Sequence, residues 1–173
     1  MSQKIQKWPG VELSQEEIDS GKIATTSWHP SAKYAWSAGE AMSRFLEELK
    51  QGHLVGRKCR TCQRILFPPR MFCEECFRPT DEWVQLKDTG TVETYSISYV
   101  DKDARRITEP IFVGVISIDG ASPKMGWMHY FGEIKKEELR IGLKVKAVWE
   151  PPEHRKGSVL DVKYFRPAKE GEG

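Results

Sequence analysis

Apolar positions change their period once along the chain, and the change falls at a cluster of cysteines. Between Tyr34 and Lys50, the residues Tyr34, Ala38, Ala41, Met42, Phe45, Leu46 and Leu49 recur in steps of three and four, which predicts a helix with one buried face. Glu47, Glu48 and Lys50 fall largely off that face, and Gly52 stands where a left-handed residue closes a helix. Upstream, Ser14-Gln-Glu-Glu17 reads as a capping box that opens a short helix ending near Gly21. Residues 22–32, with Trp28, His29 and Pro30, read as an extended arm that has no core of its own.

After Cys76 a period of two takes over. Glu82 to Lys87 alternates about Trp83 and Leu86, and Thr91 to Val100 is rich in β-branched and aromatic residues. Ile111 to Ile118 is a nearly continuous apolar run closed by Asp119-Gly120, a hairpin signal. Lys124 to Phe131, Leu143 to Trp149 and Val159 to Phe165 complete the strands. Asp101 to Pro110 is expected as a charged loop and Lys135 to Arg140 as a helical turn. That order fits a five-stranded antiparallel barrel with Greek-key connections, an OB-fold, which buries its edges by closing. The expected class is α+β: an arm over 1–33, a helix with the cysteine segment over 34–80, a barrel over 81–167 and a frayed tail over 168–173.

Every cysteine lies in two Cys-x-x-Cys pairs, Cys59/Cys62 and Cys73/Cys76, with ten residues between them. Two such turns facing each other bring four thiolates to tetrahedral corners, the ligand set of a structural zinc ion, one per chain. Soft thiolates also suit iron, the less expected ion, and disulfides, free thiols or a redox dithiol are the competing uses. Arg57, Lys58, Arg60, Arg64 and Arg70 supply positive charge to offset four thiolates. Pro68-Pro69 stiffens the linker, and Phe67, Met71 and Phe72 can keep the ion dry. Four sulfurs leave no open position, so the ion is expected to staple the fold and not to catalyse.

Composition adds exclusions. A net charge of +2 gives no basic footprint for nucleic acid. No apolar run approaches a bilayer span, and Met1 to Lys7 is polar, so a cytoplasmic chain away from the membrane is expected. Ser96 and Ser98 have no histidine near them in sequence, and His129 reads as structural. No nucleophile triad, phosphate-cradling loop or other catalytic set emerges.

Gly39 to Leu49, Gly52-His-Leu-Val-Gly-Arg-Lys-Cys59-x-x-Cys62, Phe67-Pro-Pro-Arg70, Cys73-x-x-Cys76, Trp83, Gly90-Thr-Val92 and Ile141-Gly-Leu-Lys-Val145 together resemble one family. It joins a rubredoxin-like zinc ribbon to an OB-fold, was long called a domain of unknown function, and is encoded beside thiolases and 3-hydroxy-3-methylglutaryl-CoA synthases. The resemblance covers about residues 34–167; Gln63 stands where the family often has glycine. It implies a non-catalytic subunit that holds or passes acyl-CoA for a thiolase-like or 3-hydroxy-3-methylglutaryl-CoA-synthase-like partner. For the CoA phosphates the candidates are Arg70, Arg105, Arg106 and Lys124. For the acyl arm they are Tyr95, Tyr99, Phe112, Trp127 and Phe131, each of which also suits plain barrel core. Trp8, Trp28 and Trp36 suit a docking arm. The alternative function is nucleic-acid binding, with Tyr95, Tyr99 and Trp127 stacking on bases.

Overall fold

A computed structural model describes residues 13–26, 30–169 and 171–172. The chain divides into two units, 1–36 and 37–173. In the first, α1 (Gln15–Asp19) is capped as its sequence predicts: the Ser14 hydroxyl accepts from the Glu17 amide, and the Glu17 carboxylate accepts from the Ser14 amide. Tyr34 and Trp36 are exposed. Trp8, the Pro9-Gly10 break, Trp28 and His29 lie outside the described residues.

The second unit begins with α2 (Gly39–Gln51). The expected helix from Tyr34 starts five residues late, and Gly39 is the reason. Its φ of +70° lies outside the right-handed helical region, so a helix cannot run through it. Ala41, Phe45 and Leu49 form the buried face, and Gly52 closes the helix in the left-handed region, as expected. Phe45 and Leu49 are fully buried, worth about 1.5–3 kcal/mol each.

Next comes a small three-stranded sheet. β1 (Leu54–Lys58) lies at its centre, with β2 (Ile65–Leu66) on one side and β5 (Glu82–Leu86) on the other, all antiparallel. β3 (Phe72–Cys73) pairs with β4 (Arg78–Pro79) in a second, two-stranded ribbon.

The barrel closes in the order β10-β8-β7-β6-β9. Its strands are β6 (Thr89–Val100), β7 (Arg106–Ile118), β8 (Gly126–Phe131), β9 (Lys144–Trp149) and β10 (Val162–Pro167). This is the expected OB architecture, with one parallel pair, β10 with β8, closing an otherwise antiparallel ring. β6 pairs with β9 at its start and with β7 along its length, and a register shift between Val92 and Thr94 bends it from one partner to the other. Val92, Ile116, Val145, Val162 and Phe165 fill the interior at 1% exposure or less. Gly114 sits between Tyr95 and His129 in register, where a Cβ would lie 2.2 Å from the Thr94 carbonyl oxygen.

Two expectations are corrected here. The charged loop is shorter than expected, because Arg106–Pro110 extends β7 beyond the barrel as half of a hairpin with β6. The last strand starts late, because Val159–Asp161 is a 3-10 turn. Near the end of the described chain, the Glu172 carboxylate accepts two 2.9 Å bonds from the Arg166 guanidinium. Among the described residues, no helix is long and apolar enough to cross a membrane.

Candidate metal centre and its surroundings

The cysteine segment folds as two knuckles. Cys59 ends the run out of β1, and its amide donates to the Arg64 carbonyl at 2.8 Å, curling the first loop. In the second loop the Phe77 amide donates to the Cys73 carbonyl at 2.9 Å. Each loop leaves through a left-handed residue, Gln63 at φ 61° and Phe77 at φ 52°. The first is the position where the resembled family often carries glycine. Here a side chain bears that strain, and its amide bonds the Arg60 carbonyl at 2.6 Å.

The four Sγ atoms lie within 4.8 Å of one another, with Cys62 and Cys73 at 3.6 Å. A tetrahedral zinc–thiolate site, with arms of about 2.3 Å, needs edges of about 3.8 Å. The donor set and its spacing therefore fit a structural metal. Charge repulsion points the same way. Backbone N–H donation from Cys62, opposed by burial, brings the Cys59 thiol down to about 7. Hydrogen bonding to Cys62 and burial push Cys76 up to about 12. Cys62 is also raised: burial and the sulfurs of Cys59 and Cys73 outweigh the Arg64 amide. Four sulfurs this close become anions together only around a cation, which binds thiolates and displaces their protons.

The nearby arginines have separate tasks. Arg57 is buried, donates to the Thr80 hydroxyl at 2.9 Å and to the Thr80 carbonyl, and lies over the Trp83 ring at 4.8 Å. Arg44 of α2 lies over the same ring at 4.6 Å, fastening helix to sheet. Arg64 bridges the knuckles, with Nη1 at 2.9 Å from Glu74 and 3.1 Å from Glu75. Arg70 pairs with Glu74 at 3.4 Å and donates to Met125 Sδ at 3.3 Å, so this expected phosphate ligand is taken up in joining ribbon to barrel.

That junction is a continuous core. The Ile65 amide donates to the Ser122 hydroxyl at 2.8 Å, and the Ser122 amide returns a bond to the Ile65 carbonyl at 3.0 Å. Behind them Trp127 packs edge-on against Phe45 of α2 at 5.9 Å, Phe67 of the ribbon at 5.7 Å and Phe165 of the barrel at 6.2 Å. Trp127 is thus a buried joint between three elements.

The other ligand candidates divide. Phe131 is buried in the barrel, opposite Phe112 in register, and Phe112 opposes Ile97. Tyr95, two residues from Ile97, falls on the same face and is half-exposed, so Tyr95, Phe112 and Phe131 do share one end of the barrel. Tyr99 lies farther out on the projecting hairpin. Arg105 and Arg106 stand at the hairpin tip, whereas Lys124 follows the far end of the 13-residue β7. Strand length separates those ends by up to about 40 Å, so these cations are not brought to one phosphate.

Sequence reasoning missed one surface. Met128 and Tyr130 point out of β8, and with Val113, Val159 and Leu160 they rim a hollow of about 280 Å³ floored by Trp127 and His129. Met128 is 69% and Leu160 58% exposed. The signal was present: residues 127–131 are apolar or aromatic throughout, so both faces of β8 are apolar and only one can face the core. His129 adds no chemistry there. Its Nδ1 accepts from the Tyr130 amide at 2.9 Å, so its Nε2–H donates to the Val159 carbonyl at 3.1 Å, and burial holds it below the usual histidine range.

Comparison with known proteins gives the following similarities. Residues 46–82 match the ChsH2 rubredoxin-like zinc ribbon domain and residues 83–150 the ChsH2 C-terminal OB-fold domain. A DUF35 domain-containing scaffold protein of Methanocaldococcus jannaschii is 30% identical over 97 residues, which cover 56% of this chain and 67% of that protein. A scaffold protein of the same description from Methanothermobacter thermautotrophicus is 28% identical over 39% of this chain and 51% of its own length. A DUF35 protein of unknown function from Sulfolobus solfataricus matches in structure with a TM-score of 0.56 and 27% identity, over 75% of this chain and 84% of its own. A chain of the Ltp2-ChsH2(DUF35) aldolase matches with a TM-score of 0.55 over 78% of this chain and 98% of its own; at 21% identity it speaks for the fold.

Proposed function

The chain belongs to the DUF35 family, which joins a rubredoxin-like zinc ribbon to an OB-fold, and on that footing we propose that it is a non-catalytic scaffold subunit of an acyl-CoA enzyme complex. One zinc ion at Cys59, Cys62, Cys73 and Cys76 braces it, and a thiolase-like subunit is its partner. The observation that carries this reading is the apolar rim of Met128, Tyr130, Val159 and Leu160, large side chains left facing water on the closed barrel. Contiguous exposed apolar surface marks a contact site. A scaffold role also agrees with the names of the two archaeal relatives.

The chemistry of these sites favours a scaffold over an enzyme. The four-sulfur cage has no open position for water or substrate. His129 has both ring nitrogens engaged. In this reading the acyl arm meets the scaffold at Tyr95 and Phe112, and the nucleophile belongs to the partner.

Co-expression with a thiolase-fold subunit from the same genome tests the proposal. A stable complex on size exclusion, lost in the Met128→Glu/Leu160→Glu double variant but kept when Lys135 is changed to Glu, is the expected result. An unbound chain, or one recovered only with nucleic acid, would reject it. Metal analysis of the purified chain should give one zinc per chain, and chelation should lower its melting temperature. Tryptophan fluorescence of the complex, but not of the partner alone, should respond to acyl-CoA.

A further inference from the structure

We infer that Arg64 is the latch of the metal cage, holding the two knuckles against each other through protein contacts so that the thiolates are in place before the ion arrives. The inference rests on the metal-site reading above and assigns a role to a residue outside the ligand set. Arg64 stands just after the first knuckle, where its carbonyl accepts from the Cys59 amide at 2.8 Å. Its guanidinium crosses to the second knuckle and meets Glu74 at 2.9 Å and Glu75 at 3.1 Å. Those two carboxylates are the residues between Cys73 and Cys76. One residue therefore shapes the first loop with its backbone and grips the second with its side chain. Its side chain is 17% exposed, against 42% and 61% for the two glutamates, so the grip is partly shielded from water.

An exposed ion pair adds little to global stability. A tie between two ligand loops acts elsewhere. It removes freedom the loops would lose on binding the ion, so its loss appears in metal affinity. The competing account is that Arg64 serves only as a positive charge beside anionic sulfur. The two accounts differ in sign at the glutamates. If charge alone matters, Glu74 and Glu75 oppose a thiolate centre, and neutralising them tightens zinc binding. If Arg64 is a latch, neutralising them frees its guanidinium and weakens zinc binding.

The test is zinc competition against a chromophoric chelator with the full chain. The variants are Arg64→Gln, Arg64→Lys, the Glu74→Gln/Glu75→Gln double, and Arg64→Gln combined with that double. The latch predicts that Arg64→Gln and the glutamate double each lose about 10-fold in affinity. Their combination should lose no more than the glutamate double alone, because that double already breaks every contact that Arg64→Gln removes, along with the Arg70–Glu74 pair. Lysine keeps the charge but not the two-pronged reach, so Arg64→Lys should fall between wild type and Arg64→Gln. Unchanged or tighter binding by the glutamate double, or losses that multiply in the combination, would overturn the latch while leaving the zinc site standing. Absence of zinc binding by the wild type would remove both. Far-UV spectra of the zinc-loaded variants guard against misfolding, and Arg64→Lys with the glutamate double still decides the sign should Arg64→Gln fail to fold.

Discussion

Trp127→Ala separates a joint from a ligand wall. The indole is 7% exposed and touches the rings of Phe45, Phe67 and Phe165, one from each of α2, the ribbon and the barrel. Truncating a buried tryptophan costs about 3–5 kcal/mol, out of a total stability of about 5–15 kcal/mol for a domain. At about 2–4 °C per kcal/mol for a chain of this size, the melting temperature should drop by roughly 6–20 °C. Thermal and urea unfolding of the zinc-loaded protein, followed by far-UV circular dichroism, measures this. A cycle with Phe67→Ala should return a coupling of about 0.5–1.5 kcal/mol, the value of an edge-on aromatic pair. A loss under about 1 kcal/mol, together with weakened acyl-CoA binding, would mean the indole lines an open slot, and the reasoning from the aromatic joint would be wrong.

Replacing Gln63 by glycine should raise stability by about 1 kcal/mol, since the left-handed backbone at φ 61° strains any side chain; an unfolding midpoint that does not rise, in zinc-saturated buffer, contradicts this. Gly114→Ala should destabilise severely, because the new Cβ would fall 2.2 Å from one carbonyl oxygen and 2.8 Å from the Phe131 ring; soluble expression and melting temperature read it. Burial lowers His129 from its ordinary 6.5, so the unfolded chain takes up that proton first. The stability it contributes is full above about pH 6.5 and lost as pH falls toward the lower folded value. Wild type minus His129→Gln, compared between pH 5 and 8 at saturating zinc, should show that slope, and a flat difference would refute it.

Some of this could be read along the chain because the causes are local. Cys-x-x-Cys spacing sets where two sulfurs point, a serine three residues before a glutamate makes its own cap, and alternation in Thr91–Val100 needs only the pleat of a strand. The late start of α2 was harder. Its apolar period runs smoothly back to Tyr34, and only the φ of Gly39 breaks it. Residue type placed Arg70 and Lys124 as phosphate ligands equally well, but type says nothing of what lies opposite. Arg70 meets Glu74 and Met125, residues four and fifty-five positions away.

The amino-acid order alone determined the metal cage, the helix beside it and the five barrel strands, since each follows from contacts within a few residues or from a repeating period. Tertiary structure decided which arginine serves which knuckle, that Trp127 is an internal joint, and that Met128 and Leu160 are left facing outward. Those outcomes depend on which distant segments meet when the ring of strands closes on the ribbon, and pairing between distant segments is not written in the spacing of either one.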